Sequence, residues 1–186
     1  MRIVGGRFRG RAIAAPAGAG TRPTADRTRE AVFNILAHAE WSPGLEGRRV
    51  LDLFAGSGAL GFEALSRGAA FALFVETDAA ARGAIRDNIE ALSLFGVSRI
   101  HRRDATDLGV KPVGLGDPFD LVFLDPPYHR GLAEAALARL KQGGWISAGA
   151  LAVFECGADE TPATPGFELL DERSYGAAKV LFLRSA

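Results

Sequence analysis

The 186 residues contain one cysteine, Cys156, so an internal disulfide is excluded. No group of cysteines and histidines has the spacing of a zinc site, and no metal is expected. Cys156 itself lies in an apolar run and reads as packing. No apolar run reaches the length of a membrane span, and the start, Met1-Arg2-Ile3-Val4-Gly5-Gly6-Arg7, lacks the apolar centre of a signal peptide. A cytoplasmic chain with no membrane partner is expected. Internal repeats are absent, and so is low complexity beyond a Gly/Ala/Arg bias near the N-terminus. Net charge is absent too, with 22 basic and 22 acidic side chains.

What remains is an ordinary globular composition, 48% hydrophobic and 24% charged, in a length suited to one domain with a sizeable core. The zero charge hides an asymmetry. Residues 1–30 carry seven arginines (Arg2, Arg7, Arg9, Arg11, Arg22, Arg27, Arg29) against Asp26 and Glu30, a net +5, so the rest of the chain is at −5. A basic end on a slightly acidic body suggests a polyanion engaged at that end.

Residues 1–20 alternate short apolar pairs with Gly and Arg and predict a small β-hairpin turning between Gly5 and Gly10. Its arginines read either as phosphate contacts or as a solvated strand face. A helix opened by Thr21-Arg22-Pro23-Thr24 is expected to run to about His38, with Thr24 as a candidate cap and Ala25, Thr28, Val32, Ile35 and Leu36 as its buried stripe. Arg22, Arg27 and Arg29 are expected elsewhere around it. From residue 48 strands and helices alternate. Strands are expected at 49–54, 71–76, 98–103, 119–124 and 150–155, with helices at 59–67, 79–94 and 131–141. Two further strands, 167–170 and 178–183, have no helix between them. This predicts an α/β fold with a mostly parallel sheet covered on both faces and an antiparallel edge.

Two stretches carry chemistry. Gly56-Ser57-Gly58-Ala59-Leu60-Gly61 follows a strand and opens a helix, and Glu76 ends the next strand. That spacing fits a dinucleotide site with Glu76 on a ribose, and a nicotinamide-dependent oxidoreductase is one reading. Asp52, at the loop end of the first strand, argues against it, because a carboxylate repels pyrophosphate. The same carboxylate favours S-adenosylmethionine, which carries an ammonium and a sulfonium and no phosphate. Glu76 would then accept from the ribose hydroxyls and Asp104 from the adenine amine. Phe54, Gly56, Ser57, Gly58, Thr77 and Ala105 complete the expected cofactor set. Plainer roles stay open: loop bracing for Asp52, a strand-end acid for Glu76, a turn aspartate for Asp104.

The second stretch is Asp125-Pro126-Pro127-Tyr128, directly after the apolar strand at 119–124. Two prolines fix φ and donate no N–H, leaving carbonyls to accept. A carboxylate, a carbonyl and a ring close together suit a planar base bearing an amine; a Pro-Pro turn with a surface tyrosine is the plain alternative. In the functional reading Asp125 and the Pro126 carbonyl hold the amine, Pro127 fixes the corner, and Tyr128 stacks on the base.

With both stretches placed, the chain resembles the class I methyltransferases, in the branch that methylates exocyclic amines. Arg7-Phe8-Arg9-Gly10-Arg11, then Arg22-Pro23-Thr24-Ala25-Asp26-Arg27-Thr28-Arg29-Glu30 with Phe33-Asn34, resembles the N-terminal signature of the bacterial small-subunit rRNA guanine-N2 methyltransferases, the RsmD family. Phe54 to Gly61 and Glu63-Ala64-Leu65-Ser66-Arg67 resemble its cofactor loop and following helix. The resemblance implies a Rossmann-like, doubly wound, seven-stranded sheet with one antiparallel strand. It also implies S-adenosylmethionine as cofactor and a guanine of 16S rRNA as substrate, and we expect RNA contacts from Arg7, Arg9, Arg11, Arg22 and Arg27. The expected organisation is a basic hairpin arm at 1–20 on a methyltransferase domain at 21–186. A monomer acting on a partly assembled small ribosomal subunit is expected. A DNA adenine or cytosine amine methyltransferase shares the second motif, and a catalytically silent RNA-binding module is the non-enzyme reading.

Overall fold

The computed structural model describes residues 1–18 and 23–186. Helix α1 (Pro23–His38) precedes the alternating body. There follow β1 (Arg49–Leu53), α2 (Ala59–Ser66), β2 (Phe71–Val75), α3 (Ala79–Ala91), β3 (Ser98–His101), β4 (Phe119–Leu124), α4 (Leu132–Gln142), β5 (Ile146–Gly157), β6 (Phe167–Tyr175) and β7 (Ala178–Ser185). The strands form one sheet in the order β3-β2-β1-β4-β5-β7-β6. Neighbours are parallel from β3 to β5, whereas β7 runs antiparallel to both β5 and β6.

Alternation along the central strands builds two cores. Val50, Leu121 and Phe123 face one side with Phe33, Leu36, Phe62, Phe74 and Ile85. Leu51, Leu53, Val122 and Leu124 face the other with Leu137, Leu140 and Trp145. Helices α1, α2 and α3 supply the first core; α4 and the 105–118 connection supply the second. Strands buried on both faces explain the unbroken apolar runs in β1, β2 and β4.

Three strands are longer than expected, β7 by two residues at its end. β5 starts at Ile146, four residues early, and the irregularity between Phe119 and Leu121 absorbs the step. β6 continues to Tyr175 through Asp171, Glu172 and Arg173. It is the outermost strand, where charged side chains are tolerated and blunt an open edge, so hydrophobicity alone marked only its first half.

The N-terminal segment is tied down along its length. Arg2 and Ala12 form one isolated antiparallel bridge around a turn at residues 7–10. Ile3 and Ile13 enter the first core. Val4 and Gly5 donate backbone N–H groups to the Glu63 carboxylate at 2.9 and 3.0 Å, and Phe8 donates to Ser66 Oγ at 3.0 Å. Gly6, at φ 76°, lies so close to α2 that an added Cβ would sit 1.9 Å from the Ser66 carbonyl oxygen. Covered in this way, α2 buries every residue from Gly61 to Ser66.

That cover explains a correction. Arg29, expected away from the buried stripe of α1, is 4% exposed. Its Nε pairs with Glu63 at 3.2 Å, and its guanidinium also reaches Asp26 and the Arg2 carbonyl. Glu63 in turn takes Arg67 at 3.1 Å. A buried carboxylate must be matched by partners, and here two arginines and two amides match it. Within the expected stripe Val32 and Leu36 are buried, whereas Ala25 is exposed. The cap role of the Thr24 side chain lies outside the described residues.

Candidate active site

The site lies at the carboxyl ends of β1, β2, β4 and β5, where open α/β sheets bind ligands. Leaving β1, Phe54 adopts φ 57°, a left-handed conformation that costs a non-glycine residue energy. Gly58 then caps the start of α2 at φ 81°; a Cβ there would meet the Phe62 ring at 2.7 Å. Asp52, buried, accepts from the Gly61 amide at 3.0 Å. Its carboxyl is held well above the ordinary range, first by loss of hydration, with Asp125 and Glu76 adding repulsion against the Gly61 bond. Glu76 accepts from the Gly56, Thr77 and Asp78 amides at 2.8, 2.8 and 3.2 Å. Asn88 of α3 donates to the Ser57 carbonyl at 3.2 Å and so secures the loop from behind. Asp104 accepts from the Thr106 amide and hydroxyl at 2.8 and 2.7 Å, and these two bonds lower its pKa.

Asp125-Pro126-Pro127-Tyr128 leaves β4 beside β5. The Tyr128 hydroxyl donates to Glu155 Oε1 at 2.5 Å. Leu124 pairs with Phe154, so Asp125 and Glu155 are the next residues on adjacent parallel strands. Asp125 is raised to about 7, chiefly by desolvation and then by the Glu155 carboxylate. Asp125 is also exposed at the mouth of the site. The Tyr128 hydroxyl is raised by desolvation and by Glu155. His129, at φ 62°, turns away and pairs with Asp159 at 2.8 Å.

Two cavities meet here. One, of about 390 Å³, is lined by Phe54, Glu76, Thr77, Asp104, Ala105 and Asp125, among others. The second, of about 510 Å³, has Asp52, Gly56, Ser57, Asp125, Tyr128 and Glu155 on its walls. Phe54 and Asp125 line both. The expected residues thus separate into two groups that meet at Phe54 and Asp125. Pro127 borders the smaller cavity, and Pro126 borders a narrow cleft behind Tyr128. Gly58 borders neither and serves as the helix cap.

The expected RNA contacts stand apart from these cavities. Arg7, Arg9, Arg11 and Arg27 are exposed. Arg7 lies over the Phe8 ring, 4.6 Å from its centroid, and Arg11 donates to the Ala91 carbonyl at 2.8 Å. Arg22 lies outside the described residues.

Comparison with known proteins shows the family of the chain. A family described as Conserved hypothetical protein 95 matches residues 1–184. Ribosomal RNA small subunit methyltransferase D of Escherichia coli K12 is 41% identical over 155 residues, covering 83% of this chain and 74% of the relative. The protein of that name from Haemophilus influenzae is 36% identical over 178 residues, 95% of this chain and 89% of the relative. The chain belongs to the RsmD family. Among solved structures, an Escherichia coli methyltransferase superposes with a TM-score of 0.80 at 36% identity, covering 100% of this chain and 97% of its own. A Thermus thermophilus protein follows at 0.71 and 31%, with 98% of each chain covered. A methyltransferase complexed with SAH shares the fold at 18% identity and a TM-score of 0.62, covering 84% of this chain and 49% of its own.

Two parts of this RsmD-family site carry no local sequence signal. Glu155 and Tyr175 reach the larger cavity from β5 and the β6 end; only the pairing of β4 with β5, and of β5 and β6 with β7, brings them there. Glu63 has a faint signal, a lone acid in an apolar helix with Arg67 four residues on. Its deeper partners come from residues 4, 5 and 29.

Proposed function

We propose that this RsmD-family protein transfers a methyl group from S-adenosylmethionine to the N2 amine of a guanine in 16S rRNA, within a partly assembled small ribosomal subunit. One observation carries the reading: Asp125 lines both cavities, so a carboxylate stands between a donor that would reach from Glu76 and Asp104 in the first to Asp52, Gly56 and Ser57 in the second and an acceptor beside Tyr128. The charges fit the cofactor. Asp52, Glu76, Asp125 and Glu155 make the walls acidic, and the wall arginines are engaged elsewhere, Arg29 by Glu63 and Arg103 by the Asp107 carbonyl. Such walls favour a sulfonium and an ammonium and disfavour the pyrophosphate of a dinucleotide. Glu76 would hold the ribose, Asp104 and Ala105 the adenine, and Asp52 with Gly56 and Ser57 the amino-acid end.

When bound, the cofactor supplies a methyl group activated on sulfur. The protein's part is placement and charge. Guanine N2 is a weak nucleophile because its lone pair is delocalised into the ring. Asp125 and the Pro126 carbonyl accept its two N–H bonds, which orients the lone pair and favours the pyramidal amine of the transition state. Asp125 takes one of these protons as the N–C bond forms. A carboxylate raised towards neutrality suits that duty better than an ordinary one. Tyr128 stacks on the extruded base, worth about 1–3 kcal/mol.

We assign phosphate contact to Arg7, Arg9, Arg11, Arg22 and Arg27, with residues 1–20 as the RNA-facing arm of the 21–186 body. The enzyme acts as a monomer in the cytoplasm, a setting its buried, free Cys156 suits. Replacing Asp125 with Ala tests the chemistry. Methyl transfer to small subunits is expected to vanish while calorimetric affinity for the cofactor stays within a few-fold. An active Asp125→Ala enzyme would remove the assigned role.

A further inference from the structure

We propose that Glu155 is the guanine-selecting residue, its carboxylate accepting the N1–H that neighbours the N2 amine on the edge of the base. The inference rests on the proposed methyl transfer and deepens it. The chain's register supplies the first argument. Asp125 and Glu155 follow the Leu124–Phe154 pair on adjacent strands, so two carboxylates stand side by side over one cavity. Glu155 lines the larger cavity and not the one with Glu76 and Asp104; that cavity also holds Asp52, Gly56 and Ser57, and it is the bond from Tyr128 that sets Glu155 at the acceptor end of it. Its Oε1 is held by the Tyr128 hydroxyl, which leaves Oε2 for a second donor and ties the carboxylate to the ring that would stack on the base. Tyr175 lines the same cavity, so both tyrosines of the chain border it.

The base chemistry supplies the second argument. Guanine presents N1–H and N2–H side by side, two donors that match two adjacent carboxylates. Adenine, and the analogue 2,6-diaminopurine, present a lone pair at N1. That lone pair would face the Glu155 carboxylate in a partly dehydrated site, and an unpaired or repelled polar group there is costly. Asp125 alone does not discriminate, because 2,6-diaminopurine carries the same 2-amine. Glu155 adds the missing reading of N1.

The test uses the full chain and small subunits whose 16S rRNA carries either guanine or 2,6-diaminopurine at the position methylated by the wild-type enzyme, built by splinted ligation. Wild type is expected to methylate the guanine subunit on the order of 100-fold faster, below the ~10⁴ seen for fully enclosed polar sites. Glu155→Gln, whose amide can donate to N1, is expected to narrow that ratio at least about tenfold, a change of roughly 1.4 kcal/mol. Its cofactor affinity should stay within about twofold, since no assigned cofactor contact is touched. An unchanged ratio with methylation intact would leave Glu155 as a brace for Tyr128 and overturn the assignment. Collapse of cofactor affinity in Glu155→Gln would place the residue in the donor site and also overturn it. If wild type methylates no guanine at all, the underlying reading fails, and that failure is visible before any variant is compared.

Discussion

In the proposed reaction the ionisation of Asp125, which stands beside the Glu155 carboxylate, sets the working pH. Asp125 is raised by desolvation and by the Glu155 charge, so below about 7 it is increasingly protonated and loses capacity to accept. The sign follows: kcat/KM should rise with pH through the neutral range and level off above it. Glu155→Gln removes the repelling charge, lowers the Asp125 pKa, and should move the rising limb to lower pH. A limb that stays in place would mean that desolvation alone sets the shift. At this scale the sequence was informative where a motif is contiguous. Asp52, Glu76 and Asp125 lie at strand ends and Asp104 three residues past β3, all on cavity walls. Each of the first three also makes local bonds: Asp52 to Gly61, Glu76 to three amides, Asp104 to Thr106. The bracing roles weighed for these residues are therefore present, and a carboxylate with about four lone-pair positions can brace a loop and still face a ligand. Glu155 escaped notice because Tyr128 is 27 residues away in sequence.

Among the elements, α2 departs most from what its pattern suggests. A helix flanking a sheet ordinarily turns one face to water, yet here the N-terminal segment covers the outer face. The Arg29–Glu63–Arg67 cluster holds that cover. Replacing Arg29 with Ala leaves Glu63 short of a buried partner, and breaking such a pair typically costs about 3–5 kcal/mol. Thermal unfolding should fall by roughly 10 °C, at about 2–4 °C per kcal/mol for a chain of this size. A drop under about 2 °C would show that Arg67 and the amides suffice. Gly6→Ala should be destabilising for a separate reason, since its φ of 76° disfavours a side chain and the Cβ would overlap the Ser66 carbonyl. Protease sensitivity confined to roughly the first 15 residues is the expected signature, because local opening exposes a segment no longer anchored to α2. Strand and helix order was legible from periodicity over most of the chain. The extra length of β5 and β6 was not, because a bulge and a charged edge break the apolar pattern.

Across the whole molecule, charge divides by position. The first 30 residues carry +5 and the remainder −5, while the acidic cavity walls sit at the strand ends. A polyanion drawn to the basic end would bring its bases towards an acidic cleft that accepts amines and repels phosphate. Replacing Arg7, Arg9 and Arg11 together should weaken RNA binding and flatten its salt dependence, by about one unit of slope for each phosphate no longer neutralised. An unchanged slope would leave these arginines structural. The sheet order could not be read from hydrophobic periodicity, which shows elements and not their neighbours; the family resemblance implied seven strands with one antiparallel, and β7, antiparallel to both β5 and β6, agrees with that. The kind of atom methylated follows from Asp125-Pro126-Pro127-Tyr128, whereas guanine and 16S rRNA rest on family membership. The most direct test is tritiated-methyl transfer from labelled S-adenosylmethionine to small subunits from cells lacking the endogenous enzyme, followed by nucleoside analysis. The expected product is N2-methylguanosine at one position; label in a methylated adenosine or cytidine, or no label in 16S rRNA, would contradict the account.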